Sequence, residues 1–420
     1  MSRWTRTVTV RGSTITLWLA GAVLSGISCG SDEIGEPTHP DSSPGVGPAF
    51  VATAAQALSF IQVSAGGSST CGVTTDNQVY CWGKNNRGKL GDGSTTNRLT
   101  PVAVLGGLQF RVVSAGGGHT CALTMDNRAY CWGWGEYGQL GDGTNTNRLT
   151  PVLVLGGLRF RQVIAGTYHT CGLTTTNRAY CWGDNSRGEI GDGTTISRPR
   201  PVAVSGGRSF RQVSAGLIHT CGVTTSYQAF CWGSNDFGRL GDGSNAQRLR
   251  PVAVAGTLAF RQVTAGELHT CAVTTVDQAF CWGYGEDGQI GDGKTDRRWK
   301  PRAVAGGLSF ERVTVGGRHT CGQTTGNQGY CWGYGYSGQL GDGTNTSRLT
   351  PVAIAGGLTL SQLDAGNNDH TCGLTGSGVA YSWGGNSSGQ LGNGTNTGPE
   401  LCGGDSDPCS TRPVAVAAGL

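Results

Sequence analysis

Apolar and polar residues alternate in short runs along this chain, and no extended window carries a helical period. In one stretch the runs are Phe110 to Gly116, His119 to Thr124, Ala129 to Gly133 and Pro151 to Val154. Asp-Asn, Gly-Gly and Gly-Asp-Gly segments, the chemistry of tight turns, separate them. The pattern predicts four short strands, and it returns. Cys71, Cys121, Cys171, Cys221, Cys271, Cys321 and Cys372 mark one register; Trp82, Trp132, Trp182, Trp232, Trp282, Trp332 and Trp383 mark another. Both give seven units of about 50 residues, so the expected fold is all-β, a seven-bladed β-propeller of four-stranded repeats.

Composition fits this turn-rich picture: 74 of 420 residues are glycine and only 14% are charged. The formal net charge of +4 comes without any basic run or tail, so no nucleic-acid partner is expected.

Arg3, Arg6 and Arg11 precede an apolar segment, Ile15 to Ile27, which suits a signal-peptide core better than a membrane span. It ends at Ser25-Gly26-Ile27-Ser28-Cys29, which resembles a bacterial lipobox with Gly26 where Leu is preferred. The expectation is a lipoprotein-type signal peptide at 1–28, lipid on Cys29, a flexible Pro/Ser/Gly-rich tether at 29–48 and the propeller at 49–420, with an insertion at about 396–412. Signal cleavage without a lipid and an uncleaved anchor are the competing readings. Membrane contact is expected only through that lipid. Which terminal segment closes the ring, Val51 to Ala54 or Pro413 to Val416, stays open.

The repeat, Ala-Gly-x-x-His-Thr-Cys through Tyr-Cys-Trp-Gly to Gly-Gln-Leu-Gly-Asp-Gly-Thr, resembles the regulator-of-chromosome-condensation repeat over residues 56–418. The resemblance implies one disc-shaped seven-bladed propeller. It also offers two activities: guanine-nucleotide exchange, as in the eukaryotic founding member, and inhibition of a secreted enzyme, as in a bacterial member that covers β-lactamases. The leader, the cysteines and the missing basic tail count against exchange.

Sixteen cysteines at regular spacing point to an oxidising compartment. If Cys121 opposes Cys131 across a hairpin, Leu123 opposes Ala129, and the close approach of such a pair suits a disulfide. The same logic pairs Cys71 with Cys81, Cys171 with Cys181, Cys221 with Cys231, Cys271 with Cys281 and Cys321 with Cys331. The seventh unit has Ser382 in place of its second cysteine. Cys402 with Cys409 is then the first choice, leaving Cys372 a buried thiol; Cys372 bridged to either is the alternative. A His-Cys-Cys zinc cluster in each blade lacks a fourth ligand, and unit one has Ser69 for the histidine, so no metal is expected. The histidines are expected to pack between blades and bond backbone. The ring of Arg98, Arg148, Arg198, Arg248, Arg298 and Arg348 is expected to pair with loop aspartates such as Asp142. Asx turns account for the Asp-Gly-Thr runs, which lack the final glutamate of a calcium loop.

Strand alternation puts the two most variable loops on one face: the pair inside Ala-Gly-x-x-His and the four residues after Trp-Gly. That face gathers Trp134, Tyr137, Tyr168, Leu217, Ile218, Phe237, Leu268, Tyr284, Arg318, Tyr334 and Tyr336, with Arg87 and Arg187. Aromatic and arginine side chains on fixed loops are the material of binding hot spots. No catalytic constellation and no cofactor motif is present in the sequence. The expected function is a non-catalytic extracytoplasmic binding or scaffold protein, monomeric, in the cell envelope or secreted, that holds a protein or surface glycan.

Overall fold

The computed structural model describes residues 58–403 and 407–417. The leader, Cys29, the tether and Val51 to Ala54 lie outside the described residues. In blade one, β1 (Phe60–Ala65), β2 (Ser69–Thr74), β3 (Val79–Gly83) and β4 (Arg98–Ala103) form one antiparallel sheet in that order. The arrangement repeats in blades two to six. Blade seven uses Leu360–Ala365, His370–Thr375, Ala380–Gly385 and Asp407–Ala415, and adds Glu400–Cys402 from the insertion as an outer fifth strand. The seven copies of β1 line a central channel of about 370 Å³.

Of the two segments left open, Pro413 to Ala415 completes blade seven as part of Asp407–Ala415, while Val51 to Ala54 lies outside the described residues. Blade one is complete from Phe60. The ring closes by side chains. Gln362 Oε1 accepts from Val63 N at 3.0 Å while its Nε2 donates to Val63 O at 2.7 Å. Gln62 does the same to Val113 at the next boundary, so each such glutamine imitates a β-ladder rung across two blades. Asp364 adds to the closing seam by accepting from Ala65 N at 2.9 Å.

The apolar cores lie between blades. Cys71, Val73, Cys81 and Leu90 of the first blade pack with Phe110, Val113 and Trp132 of the second. The seam has the same build, with Cys372, Leu374 and Ala380 against Phe60, Val63 and Trp82, and with Leu58 and Val416 at its edge.

Two glycines in the motif follow from this packing. Gly83, at φ +97°, turns the chain after the tryptophan, and a Cβ there would sit 2.6 Å from Ser68 O. Gly91 yields to the neighbouring blade, because a Cβ would meet Trp132 Nε1 at 2.7 Å.

Cys121 faces Cys131 and Leu123 faces Ala129 in the observed register. All six hairpin bridges are formed, with Cα–Cα distances of 4.0–4.1 Å. The sulfurs of each His-Cys-Cys trio are thereby spent on one another. Cys402 bridges Cys409, and Cys372 is a buried thiol opposite Ser382.

The histidines bond a side chain rather than backbone. His119 Nε2 lies 2.7 Å from Thr170 Oγ1 of the next blade, and Thr170 donates its own hydroxyl proton to Gln139 O at 2.8 Å. The threonine must therefore accept from a protonated Nε2. The same bond recurs from His169 to Thr220, His219 to Thr270, His269 to Thr320, His319 to Thr371 and, across the seam, His370 to Thr70. The tryptophan indole joins the network, as when Trp132 Nε1 donates to Lys89 O at 3.0 Å.

Candidate functional site: the variable loop face

The upper face is built by the loops after β1 and β3 and their copies. The long loop after β3 is pinned from inside. Asp142 Oδ1 accepts from Thr144 N at 3.0 Å and Thr144 Oγ1 at 2.8 Å, and its Oδ2 accepts from Arg148 Nη2 at 2.7 Å. All six arginines of the ring make this pair with their own loop aspartate. Burial alone would raise these carboxyls. The hydroxyl and guanidinium bonds outweigh it and hold Asp92, Asp142, Asp192 and Asp242 below the ordinary value.

The variable aromatics form three clusters, not an even ring. Trp134, Tyr137 and Tyr168 meet edge to face at 5.1, 5.5 and 5.8 Å between centroids, and Arg87 stacks 4.2 Å over Trp134. The indole N–H of Trp134 has no partner among the described residues. Phe237 and Tyr284 meet at 5.2 Å, with Arg297 4.8 Å over Phe237 and paired to Glu286. Tyr334 and Tyr336 meet at 5.1 Å, with Arg318 4.3 Å over Tyr334 and paired to Asp287 at 2.7 Å. Tyr137, Tyr336 and Arg318 are exposed, and the other eight expected site residues are half-buried. Leu217 borders the first cluster; Ile218 and Leu268 join no aromatic group.

A frame position controls the loop tips. Where it is Gln or Glu, its side chain accepts the backbone N–H two residues earlier: Tyr137 to Gln139, Arg187 to Glu189, Asp287 to Gln289, Ser337 to Gln339 and Ser388 to Gln390, at 2.9–3.0 Å. Lys89 and Arg239 have no acceptor to offer. In those two blades Arg87 and Phe237 adopt left-handed φ of 66° and 64°. Lys89 instead donates to the carbonyls of Gly67 and Gly117, and burial together with nearby Lys84 pulls its ammonium down to about 7.

The upper channel mouth holds a depression of about 250 Å³ that sequence reasoning did not assign. Trp134, Tyr168, Leu217, Glu267 and Asn368 border it, and Asn367 crosses it to reach Thr167 Oγ1 at 3.4 Å. Burial and the nearby charge of Asp369 push the Glu267 carboxyl up to about 7. Glu267 stands in the variable pair of its unit, but only ring closure brings it beside residues some hundred positions away.

A closed ring of seven blades, six of four strands and one of five, with its variable loops on one rim is a seven-bladed β-propeller. The chain belongs to the RCC1-like domain family, whose description matches residues 12–322, with regulator of chromosome condensation (RCC1) repeats at 328–374 and 361–390. Among solved structures it is similar to human WBSCR16, at 21% identity over 81% of this chain and 94% of that one, TM-score 0.71. It is similar to Prp20p from Saccharomyces cerevisiae at 19% identity, 82% and 87% coverage, TM-score 0.72. The ectodomain of the Arabidopsis thaliana receptor kinase ACR4 aligns at 23% identity, 78% and 96% coverage, TM-score 0.50.

Proposed function

We propose that this is a non-catalytic, extracytoplasmic binding protein whose upper face holds a protein or glycan partner. The observation that carries the reading is the Trp134–Tyr137–Tyr168 cluster: three mutually packed rings, a stacked arginine and an unpartnered indole N–H at the edge of a depression. Pre-packed aromatics lose little side-chain freedom on binding, which favours such positions as anchors. Relatives lend support, since Prp20p binds Gsp1p and histones. Seven disulfides favour an oxidising compartment, and the ACR4 relative is an ectodomain. Inhibition of a co-secreted enzyme would use the same face.

The test is affinity capture from the native envelope by the purified protein, beside Tyr137→Ala/Tyr336→Ala and Trp134→Ala variants. A partner recovered by the parent and lost with the variants supports the site. Equal recovery by all three removes it.

A further inference from the structure

We propose that the lower face docks on an anionic phospholipid surface through an arginine sector of blades two to four. The turns after β2 and the links after β4, with their copies, form this face. In that sector Arg128, Arg159, Arg178, Arg208 and Arg211 stand against one carboxylate, Asp126. Asp126 is shared, at 2.9 Å from Arg128 and 3.4 Å from Arg159. Arg178 reaches only the carbonyl of Gly207, Arg208 lies 4.3 Å over Phe230, and Arg211 lies 4.7 Å over Tyr227. These five leave four positive charges uncompensated, and Arg111 and Arg161, bonded to Asn127 and Asn177 of the lower turns, add two more.

Two further observations select a membrane among polyanions. Turn tips on this face project apolar side chains: Met125 is 55% exposed, Tyr227 41% and, in the adjoining blade, Val276 69%. Apolar tips between arginines suit a headgroup boundary, where phosphates meet the guanidiniums and the tips enter the acyl edge. A soluble polyanion offers those tips nothing. Secondly, the chain enters the disc on this face. Ser59 O accepts from Thr75 N of a lower turn, and Phe60 N donates to Gly378 O of another. A tether running from Cys29 to this point would draw the lower face to a bilayer and leave the aromatic face outward. Docking does not depend on what the aromatic face binds.

The experiment is co-sedimentation of the full chain carrying Cys29→Ser with vesicles of phosphatidylcholine containing phosphatidylglycerol, and with pure phosphatidylcholine, at low and high salt. The expected result is binding to the anionic vesicles only, falling with salt. Arg159→Gln/Arg178→Gln/Arg208→Gln/Arg211→Gln weakens it by about fivefold per charge removed, while Tyr137→Ala/Tyr336→Ala leaves it unchanged. Arg159→Glu/Arg178→Glu spares the stacked pairs, so it tests the charge should the fourfold variant fail to fold. Every variant carries the same N-terminal segment, so a difference belongs to the face. Equal binding of parent and arginine variants overturns the proposal, as does binding to a heparin fragment with none to anionic vesicles.

Discussion

Lowering the pH from 7.5 to 5 is expected to destabilise the propeller, and the inter-blade histidines set the size of the effect. Burial, with help from neighbouring cationic groups, holds His119, His269, His319 and His370 down to about 3. Burial holds His169 to about 4 and His219 well below its ordinary value. In the unfolded chain each imidazole titrates near 6.5, so in this window the unfolded chain binds the extra proton and stability falls with pH. The loss is about 2 kcal/mol per histidine, or about 12 for six. Carboxyls raised by burial oppose it, Asp369 among them. Burial pushes Glu189 and Glu267 up to about 7 and Asp364 to about 6, so the folded chain protonates them first. They return about 2, 2 and 1 to 2 kcal/mol. Lys89, drawn down to about 7 in the folded chain, adds a loss of about 1 kcal/mol, so the net loss is about 7 kcal/mol, comparable with the whole stability of many domains. Guanidinium unfolding with bridges intact, followed by tryptophan fluorescence, measures it. His219→Gln, which cannot titrate, shrinks the difference between the two pH values by about 2 kcal/mol. Equal stability at both values, or an undiminished difference in the variant, would refute the reasoning.

Ser382→Cys should form a seventh hairpin bridge with Cys372, since these positions face each other as the bridged pairs do. The gain is about 3 kcal/mol for a ten-residue loop, and loss of the free thiol by mass spectrometry verifies the bond. Lys89→Gln should supply the missing acceptor and return residue 87 from its left-handed φ to the conformation of Tyr137. A crystal structure of the variant shows whether Arg87 leaves the face of Trp134.

The strand pattern, the blade count and the hairpin pairing were legible because each is written in spacing that repeats. The histidine bonds were not, since the acceptor threonine lies some fifty residues on and only blade geometry brings it near. The aromatic loops were legible as a face but not as three clusters, because side-chain packing depends on the turn beneath. The signal for two of those turns was present: Lys89 and Arg239 replace Gln or Glu in a segment that otherwise looks like fixed frame. The arginine sector escaped for a different reason. Its members lie far apart in sequence, so a search for basic runs passes over them.

Among the described residues the ring closes without a shared strand, and this has a consequence for descent. Each repeat of the sequence is also one whole blade, so the genetic unit and the physical unit have the same boundaries. Duplicating or deleting a repeat would add or remove a complete sheet, never half of two, and any link after β4 could serve as the point where the chain starts. Joining the chain near Leu58 to the chain near Val416, which pack on the same seam core, and cutting elsewhere should return the same disc. Ancestry by copying would leave no scar in the ring beyond the changes each blade gathered since.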